Sequence, residues 1–368
     1  MELLNATPMQ AGYTMGMQPD GRELLVVAVK GTFTLPAQGE EARLADGQIP
    51  LVMADTFTGE PGFSAPVHEA DYPPHKRRCD VLLIGSAYAP GGRPATRVEV
   101  GIGIGTIDKT FAVIGDRRWE AGALAIGPGR PEAFTVMPIT YDRAFGGIDD
   151  CHPDPARLRA FMANPVGKGY HGHLKPAWVD GTPLPNSEEP GRAVTMPDGA
   201  YRPMSFGPVG RNWEPRYRLA GTYDQHWLDH VFPFLPADFD AGYYQAAPAD
   251  QQMDYPQGGE EVRLTQLTAE GHTLFRLPGM AVPVAFFLKK GGRQEQRARI
   301  DTLVLEPDAG RFTMTWRAAL PLKRNMFEVA QVLVGTLSRG WWRARDLGKT
   351  YYPSLAALSR ANREEAGE

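Results

Sequence analysis

The sequence predicts a mainly antiparallel β protein, a sandwich-like scaffold with a long irregular insertion and few short helices. Three observations carry this. Gly (41) and Pro (33) make up about a fifth of the 368 residues, more than a helical protein uses and short of the low-complexity range. Apolar residues alternate at period 2 on both sides of a central stretch. That stretch, residues 141–216, shows neither the period of a strand nor that of a helix.

Residues 23–35 (E-L-L-V-V-A-V-K-G-T-F-T-L) form a β-branched run stopped by Pro36 and Gly39. A second strand is expected over 80–88, ended by the turn A-P-G-G-R-P. In 97–105 (R-V-E-V-G-I-G-I-G), Val98, Val100, Ile102 and Ile104 fall on one face. A turn at 106–109 should return the chain antiparallel over 110–115, and 134–141 is a further strand. Beyond the irregular stretch, 262–267, 273–277, 282–289 and 297–305 read as strands. The last forms a hairpin whose turn is 307–310. Helices are expected at 155–163, which opens with Pro, and at 353–366, where Ser354 caps and Leu355, Leu358 and Ala361 share a face. Residues 326–337 fit either a helix or a buried strand. The chain divides into a strand-rich 1–141, an irregular excursion 142–255, a strand-rich 256–320, and a C-terminal extension 321–368 ending in a helix.

A net charge of −4, with 22% charged residues, gives no reason to expect nucleic acid or an anionic membrane as partner. Two cysteines, Cys79 and Cys151, rule out a disulfide scaffold, and reduced thiols are expected. The first ten residues lack a basic segment followed by an apolar one, so no signal peptide and a cytoplasmic location are expected. The apolar runs at 281–288 and 329–337 fall short of the roughly 18–20 residues of a membrane span.

Ordering an irregular stretch costs about 1–2 kcal/mol of backbone entropy per residue, so 141–216 needs anchors. Tyr141, Phe145, Tyr170, Trp178, Tyr201, Phe206 and Trp213 supply them, with Tyr217 just beyond. Its carboxylates (Asp142, Asp149, Asp150, Asp180, Glu188, Glu189) are interleaved with Arg143, Lys168, Arg211, Arg216 and the neighbouring Arg218. A glycosidase would use two such carboxylates about 5–9.5 Å apart. Arg–carboxylate bracing of turns that lack ladder hydrogen bonds is the simpler reading. G-I-G-I-G at 101–105 resembles a dinucleotide loop, but its glycines lie inside a strand, where they permit close packing. His171 and His173 sit two apart, and His226 and His230 four apart, yet no third ligand completes a metal set, so neither metal nor cofactor is expected. No G-x-S-x-G elbow occurs. Near the C-terminus, Trp341 and Trp342 among Arg339, Arg343 and Arg345 have the composition of an interface hot spot.

An ordered series of motifs gives the chain a family resemblance. It runs V-K-G-T-F (29–33), D-V-L-L-I-G-S-A-Y-A-P (80–90), G-D-R-R-W (115–119) and M-P-I-T-Y-D-R-A-F-G-G (137–147). It continues through N-P-V-G-K-G (164–169), L-P-N-S-E (184–188), F-G-P (206–208), W-E-P-R (213–216) and G-T-Y-D (221–224), to P-A-D-F-D (236–240) and A-P-A-D-Q (247–251). Over about residues 10–320 this resembles a bacterial domain-of-unknown-function family associated with type VI secretion. The resemblance implies a non-enzymatic cytosolic adaptor or chaperone, encoded near VgrG- and PAAR-type spike proteins, that helps load an effector onto the spike. It carries no catalytic residues with it. An adaptor needs a rigid scaffold and a broad surface, and an exposed sheet edge adds pairing with a client strand. The contact residues expected are Arg143, Phe145, Asn186, Glu188, Phe206, Arg211, Trp213, Arg216 and Trp341, some of them serving as internal scaffold. The alternative is a carbohydrate-binding or carbohydrate-active protein using the same acidic and aromatic stretch. A third reading is a metal hydrolase around His171, His173 and His226.

Overall fold

Alternating side chains send one face of each strand inward, and in the computed structural model these faces meet in one apolar core between stacked sheets. Residues 1–37, 40–123, 125–352 and 354–365 are described. Gly39, Pro353 and Ala366 lie outside them, as does the Ala361 side chain.

A six-stranded sheet runs in the order Gln252–Met253, Cys79–Leu83, Arg299–Glu306, Arg311–Pro321, Glu23–Thr34, Gln10–Met17. Its pairs are antiparallel except Cys79–Leu83 with Arg299–Glu306. A five-stranded antiparallel sheet runs Ser187–Glu188, Ile107–Ile114, Arg97–Ile104, Glu261–Thr265, His272–Arg276. Val98, Val100, Ile102 and Ile104 all point inward and are buried, as their spacing predicts. Phe275 of this sheet meets Phe312 of the other with ring centroids 5.3 Å apart, and Phe312 stacks on Phe33 at 5.1 Å. A third sheet, Glu2–Asn5, Val329–Val334, Pro283–Leu288, Arg293–Arg297, adds Val284, Phe286, Val329, Val332 and Val334 to the same core.

Several local expectations change. The 97–115 hairpin is tighter than predicted: Ile104 pairs with Ile107 across a two-residue turn, with Gly105 at φ +55°. The stretch 80–88 is two strands, because the chain leaves the sheet after Leu83 and Gly85–Tyr88 pairs with Val136–Ile139 instead. The helix expected at 155–163 is a single 3-10 turn, Pro155–Arg157, followed by a two-residue strand, Arg159–Ala160. Residues 326–337 resolve as a buried strand, Val329–Val334, which pairs with Pro283–Leu288 and Glu2–Asn5. The 321–368 extension is therefore bound into the sheets. Its helix Arg339–Asp346 rests Trp341 and Trp342 on Phe287, at 6.3 and 5.8 Å, on the outer face of the third sheet. The terminal helix runs Leu355–Glu365.

The other face of the six-stranded sheet is also buried, but polar. Lys30, Thr315, Arg317, Thr302 and Asp80 project there, each no more than 8% exposed. Lys30 Nζ reaches Asp71 at 2.9 Å, Arg317 Nε reaches Asp301 at 2.5 Å, and Lys76 Nζ reaches Asp80 at 2.6 Å. A bulge at 300–302 lets Asp301 and Thr302 both join this layer, and Thr302 Oγ1 accepts from Lys76 while donating to Asp301. Asp80 also accepts from Gln245 Nε2 and the Ala246 amide, tying the end of the excursion to the sheet. Burial alone lowers the pKa of Lys76, but the charges of Asp80, Asp301 and Glu69 outweigh it and raise it.

Removing one member of such a pair leaves an uncompensated buried charge. Asp80→Leu is expected to lower unfolding free energy by about 3–5 kcal/mol in urea denaturation. Adding Lys76→Met should recover part of that, since Gln245 and Ala246 still lack an acceptor. A single variant within about 1 kcal/mol of wild type would show that water reaches the pair.

Candidate functional site

The excursion is held from inside by the residues that made it conspicuous. In A-F-G-G, Gly146 (φ +151°) and Gly147 (φ +117°) take conformations that side chains rarely adopt. A Cβ on Gly146 would also lie 2.1 Å from the Asn164 carbonyl oxygen. That close approach lets Phe145 and Gly146 pair with Lys168 and Gly169. Asn164, fully buried, donates from Nδ2 to the carbonyls of Tyr141 and Phe145 at 2.9 and 3.1 Å. Phe145 meets Phe161 and Tyr201 edge-on at 5.1 and 5.0 Å, and Tyr141 meets Trp213 at 5.1 Å. Each such aromatic pair adds about 0.5–1.5 kcal/mol beyond its burial.

In L-P-N-S-E, Asn186 donates to Ile114 O and Asp116 Oδ1, both at 2.9 Å, and accepts from Arg143 Nη1 at 3.0 Å. Asp116 is held below the usual carboxylate range, first by Asn186 and then by Lys168 and Arg143. Ser187 and Glu188 add an edge strand against Ala112 and Val113. Glu188 pairs with Arg117 and accepts from Val194 N at 2.9 Å. Asp142 accepts from Thr58 Oγ1 at 2.7 Å and Ala65 N at 2.9 Å. Both carboxylates are thus taken up by the protein's own groups, Glu188 by arginine and Asp142 by a hydroxyl and an amide.

W-E-P-R is anchored by two arginines. Arg211 reaches Asp55 and Glu69, each at 2.7 Å. Arg216 shares Glu69 at 2.7 Å and donates to Val209 O at 2.8 Å and Tyr243 O at 2.7 Å. Burial works against the Asp55 charge, but the Arg211 and Ala70 hydrogen bonds outweigh it and lower its pKa.

Lys109, expected in the turn at 106–109, lies inside the strand Ile107–Ile114. It shares the inward face with Ile107, Phe111 and Val113, and its amine reaches Gln251 Oε1 at 2.7 Å, Ser205 O at 2.9 Å and Asp250 at 3.3 Å. The detectable signal was a lysine in phase with apolar residues. Burial lowers its pKa to about 8, partly offset by Asp250.

Of the nine residues expected to contact a partner, Phe145, Asn186, Glu188, Phe206, Trp213 and Arg216 are each less than 5% exposed. Phe206 packs at a tilt against Phe111, 4.5 Å between ring centroids, inside the main core. Burial removes these six from direct contact and makes them bracing. Arg143 and Arg211 keep about a third of their side chains exposed, with guanidinium groups already committed. Trp341 is half-buried on Phe287. His226 and His230 are neighbours on the exposed helix Gln225–His230, whereas the ligand atom of His171 groups with Asp149 and Cys151.

The exposed aromatic surface lies just beyond, in G-T-Y-D-Q-H-W-L-D-H-V-F-P-F. Asp224 caps the Gln225–His230 helix through Trp227 N at 2.9 Å, and Trp227 Nε1 donates to Phe234 O at 2.9 Å. Tyr223 and Phe232 pack edge-on against Trp227 at 4.8 and 5.5 Å. Tyr223, Leu228 and Phe232 nonetheless remain 52, 55 and 63% exposed. These aromatics stand close together in the sequence, just beyond residues 141–216.

Fold and site together define a mainly β scaffold whose irregular excursion is braced from within and displays an aromatic surface. Among the described residues, no helix is long and apolar enough to cross a membrane. The chain belongs to the family described as "Uncharacterized protein conserved in bacteria (DUF2169)", which it matches over residues 20–317. Comparison with curated proteins and with solved structures gave no match.

Lys109 supplies a pH signature for the bracing. Between pH 8 and 10.5 the unfolded chain holds the Lys109 proton and the folded chain does not, so stability rises with pH across that window. The unfolding free energy of wild type minus that of Lys109→Met should rise by about 2 kcal/mol from pH 8 to 10. A flat difference in denaturant titrations would show that the amine stays charged in the fold.

Proposed function

We propose that this chain is a non-enzymatic adaptor that binds a PAAR- or VgrG-type spike protein, or the effector it carries, and assists loading onto a type VI secretion apparatus. The observation that carries this reading is the exposed Tyr223, Leu228 and Phe232 cluster around Trp227, on a segment whose backbone is fixed by capping and bracing. Tyr and Trp dominate interface hot spots, and a surface ordered in advance loses little entropy on binding. The motif order in the sequence, with its resemblance to secretion-associated adaptors, supports the class of partner. The internal use of Glu188, Asp142, Arg211 and Arg216 supports a recognition role over a catalytic one.

A second contact mode is strand pairing. His272–Arg276 ends the five-stranded sheet, with Leu274 42% exposed. On this reading the protein acts in the cytoplasm, requires no cofactor, and engages neither nucleic acid nor membrane.

The test is co-purification of the tagged full-length chain with the PAAR and VgrG proteins encoded beside it. A complex at micromolar concentration is expected. Tyr223→Ser with Phe232→Ser should weaken it at least tenfold while the protein stays folded by circular dichroism. Absence of any complex at micromolar concentration would overturn the adaptor reading. Full binding by the double variant would move the contact away from this cluster.

A further inference from the structure

The Asp149 carboxylate, the Cys151 thiol and the His171 imidazole each offer a ligand atom, all within 4.8 Å of one another. The protonation of His171 follows from its neighbours. Thr182 Oγ1 donates its one proton to Val179 O at 2.6 Å, so it accepts from His171 Nε2, 2.9 Å away. Nε2 therefore carries the proton and Nδ1 holds the lone pair. His171 is 8% exposed, and its Nδ1 is buried without a hydrogen-bond partner. A buried acceptor left unmade costs about 1–3 kcal/mol, so this nitrogen calls for a ligand.

We infer that Asp149, Cys151 and His171 form a binding site for a thiophilic divalent metal, of which zinc is the natural occupant. Sulfur and imidazole donors favour zinc, cobalt or copper over magnesium and calcium. A tetrahedral zinc with bonds of about 2.0–2.3 Å sets its donors about 3.3–3.8 Å apart, so a small contraction closes the site. One thiolate and one carboxylate neutralise the dication, and the fourth position opens on the side of Cys151, which is exposed.

The surroundings have the form that supports metal ligands. Asp149 Oδ2 is oriented by His173, accepting from its backbone N–H and bonding its Nδ1, both at 2.8 Å, and the Thr182 bond fixes the His171 ring. Burial, then the carboxylates of Asp149 and Asp150, push the Cys151 thiol up. That field disfavours a free nucleophilic thiolate, and a bound dication reverses it. The metal would fasten Asp149–Cys151 to the segment carrying His171, within the braced excursion. This inference is independent of the adaptor reading.

The experiment is a CoCl2 titration of the metal-free, full-length protein under reducing conditions. One equivalent should produce a near-ultraviolet thiolate-to-cobalt charge-transfer band, abolished by excess ZnCl2. Cys151→Ser, at an exposed position, should remove the band with the fold intact by circular dichroism. Thr182→Val should weaken binding about 10–100-fold by releasing the His171 ring. The His226 and His230 pair can bind cobalt without giving this band, so the band separates the two sites. No band in wild type, or a band that survives Cys151→Ser, would overturn the inference.

Discussion

Lys76 and Asp80, 2.6 Å apart and almost without solvent exposure, sit in a buried charged layer on which the layout of the chain depends. A sheet flanked on both sides must be covered on both faces. The five-stranded sheet covers one face of the six-stranded sheet with apolar rows. The other face is covered by loops, and loops carry backbone groups that need hydrogen-bond partners. Charged side chains provide them: from the sheet, Asp80 takes the Ala246 amide and Arg317 the Asp71 carbonyl, and the loop residue Asp71, held by Lys30, takes the Val52 amide. A small apolar contact of Leu82 and Val304 with Ala246 and Ala247 completes the layer. Buried charges of this kind contribute little net stability compared with an apolar layer. What each one does here is give a buried loop group a fixed hydrogen-bond partner.

The same logic extends into the excursion, which reaches the main core through Met204, Phe206 and Met253. Two small cores form where it meets the preceding segments, one around Trp119, Phe145, Leu184 and Tyr201, the other around Tyr141, Val209 and Trp213. Arginines and carboxylates then tie these cores to the sheets through Asp116, Glu188 and Glu69. Ordered structure without regular ladders results, and the backbone entropy is offset by aromatic burial and charge-assisted hydrogen bonds.

The sheets were legible because burial of one strand face imposes period 2, as at Val98–Ile104 and in the 299–321 hairpin. What escaped was set by long-range partners. The break after Leu83 follows from the pairing of Gly85–Tyr88 with Val136–Ile139, and no local signal marks it. The 326–337 ambiguity was settled by a strand at the other end of the chain, Glu2–Asn5. For the site, chemistry and location were confounded. Aromatics and arginines are the residues of interfaces, and they are also the residues that brace irregular loops. Composition drew attention to Phe206, Trp213 and Arg216, which are interior, while Tyr223 and Phe232 lie outside. The pair His171 and His173 stands out in the sequence, but its partners Asp149 and Cys151 are some twenty residues away and meet it only in the fold.

The division between interior and exposed aromatics has a mechanical consequence. Arg216 bonds the carbonyl of Tyr243, and Leu219 O accepts from Asp240 N at 2.9 Å, so the segment between them is closed at its base. Asp238 bonds the amide and hydroxyl of Thr222, and Asp240 bonds the Gly242 amide and Arg77, which closes it further. The loop thus spans two fixed points on the scaffold, and its helix Gln225–His230 is too short to hold its shape unaided. Its aromatics keep their positions because buried Arg216 and Glu69 hold the base. A residue with no access to the surface thus limits the conformational freedom of the exposed loop. Arg216, which composition suggests as a contact, instead acts one step behind the surface, by closing the base of this loop.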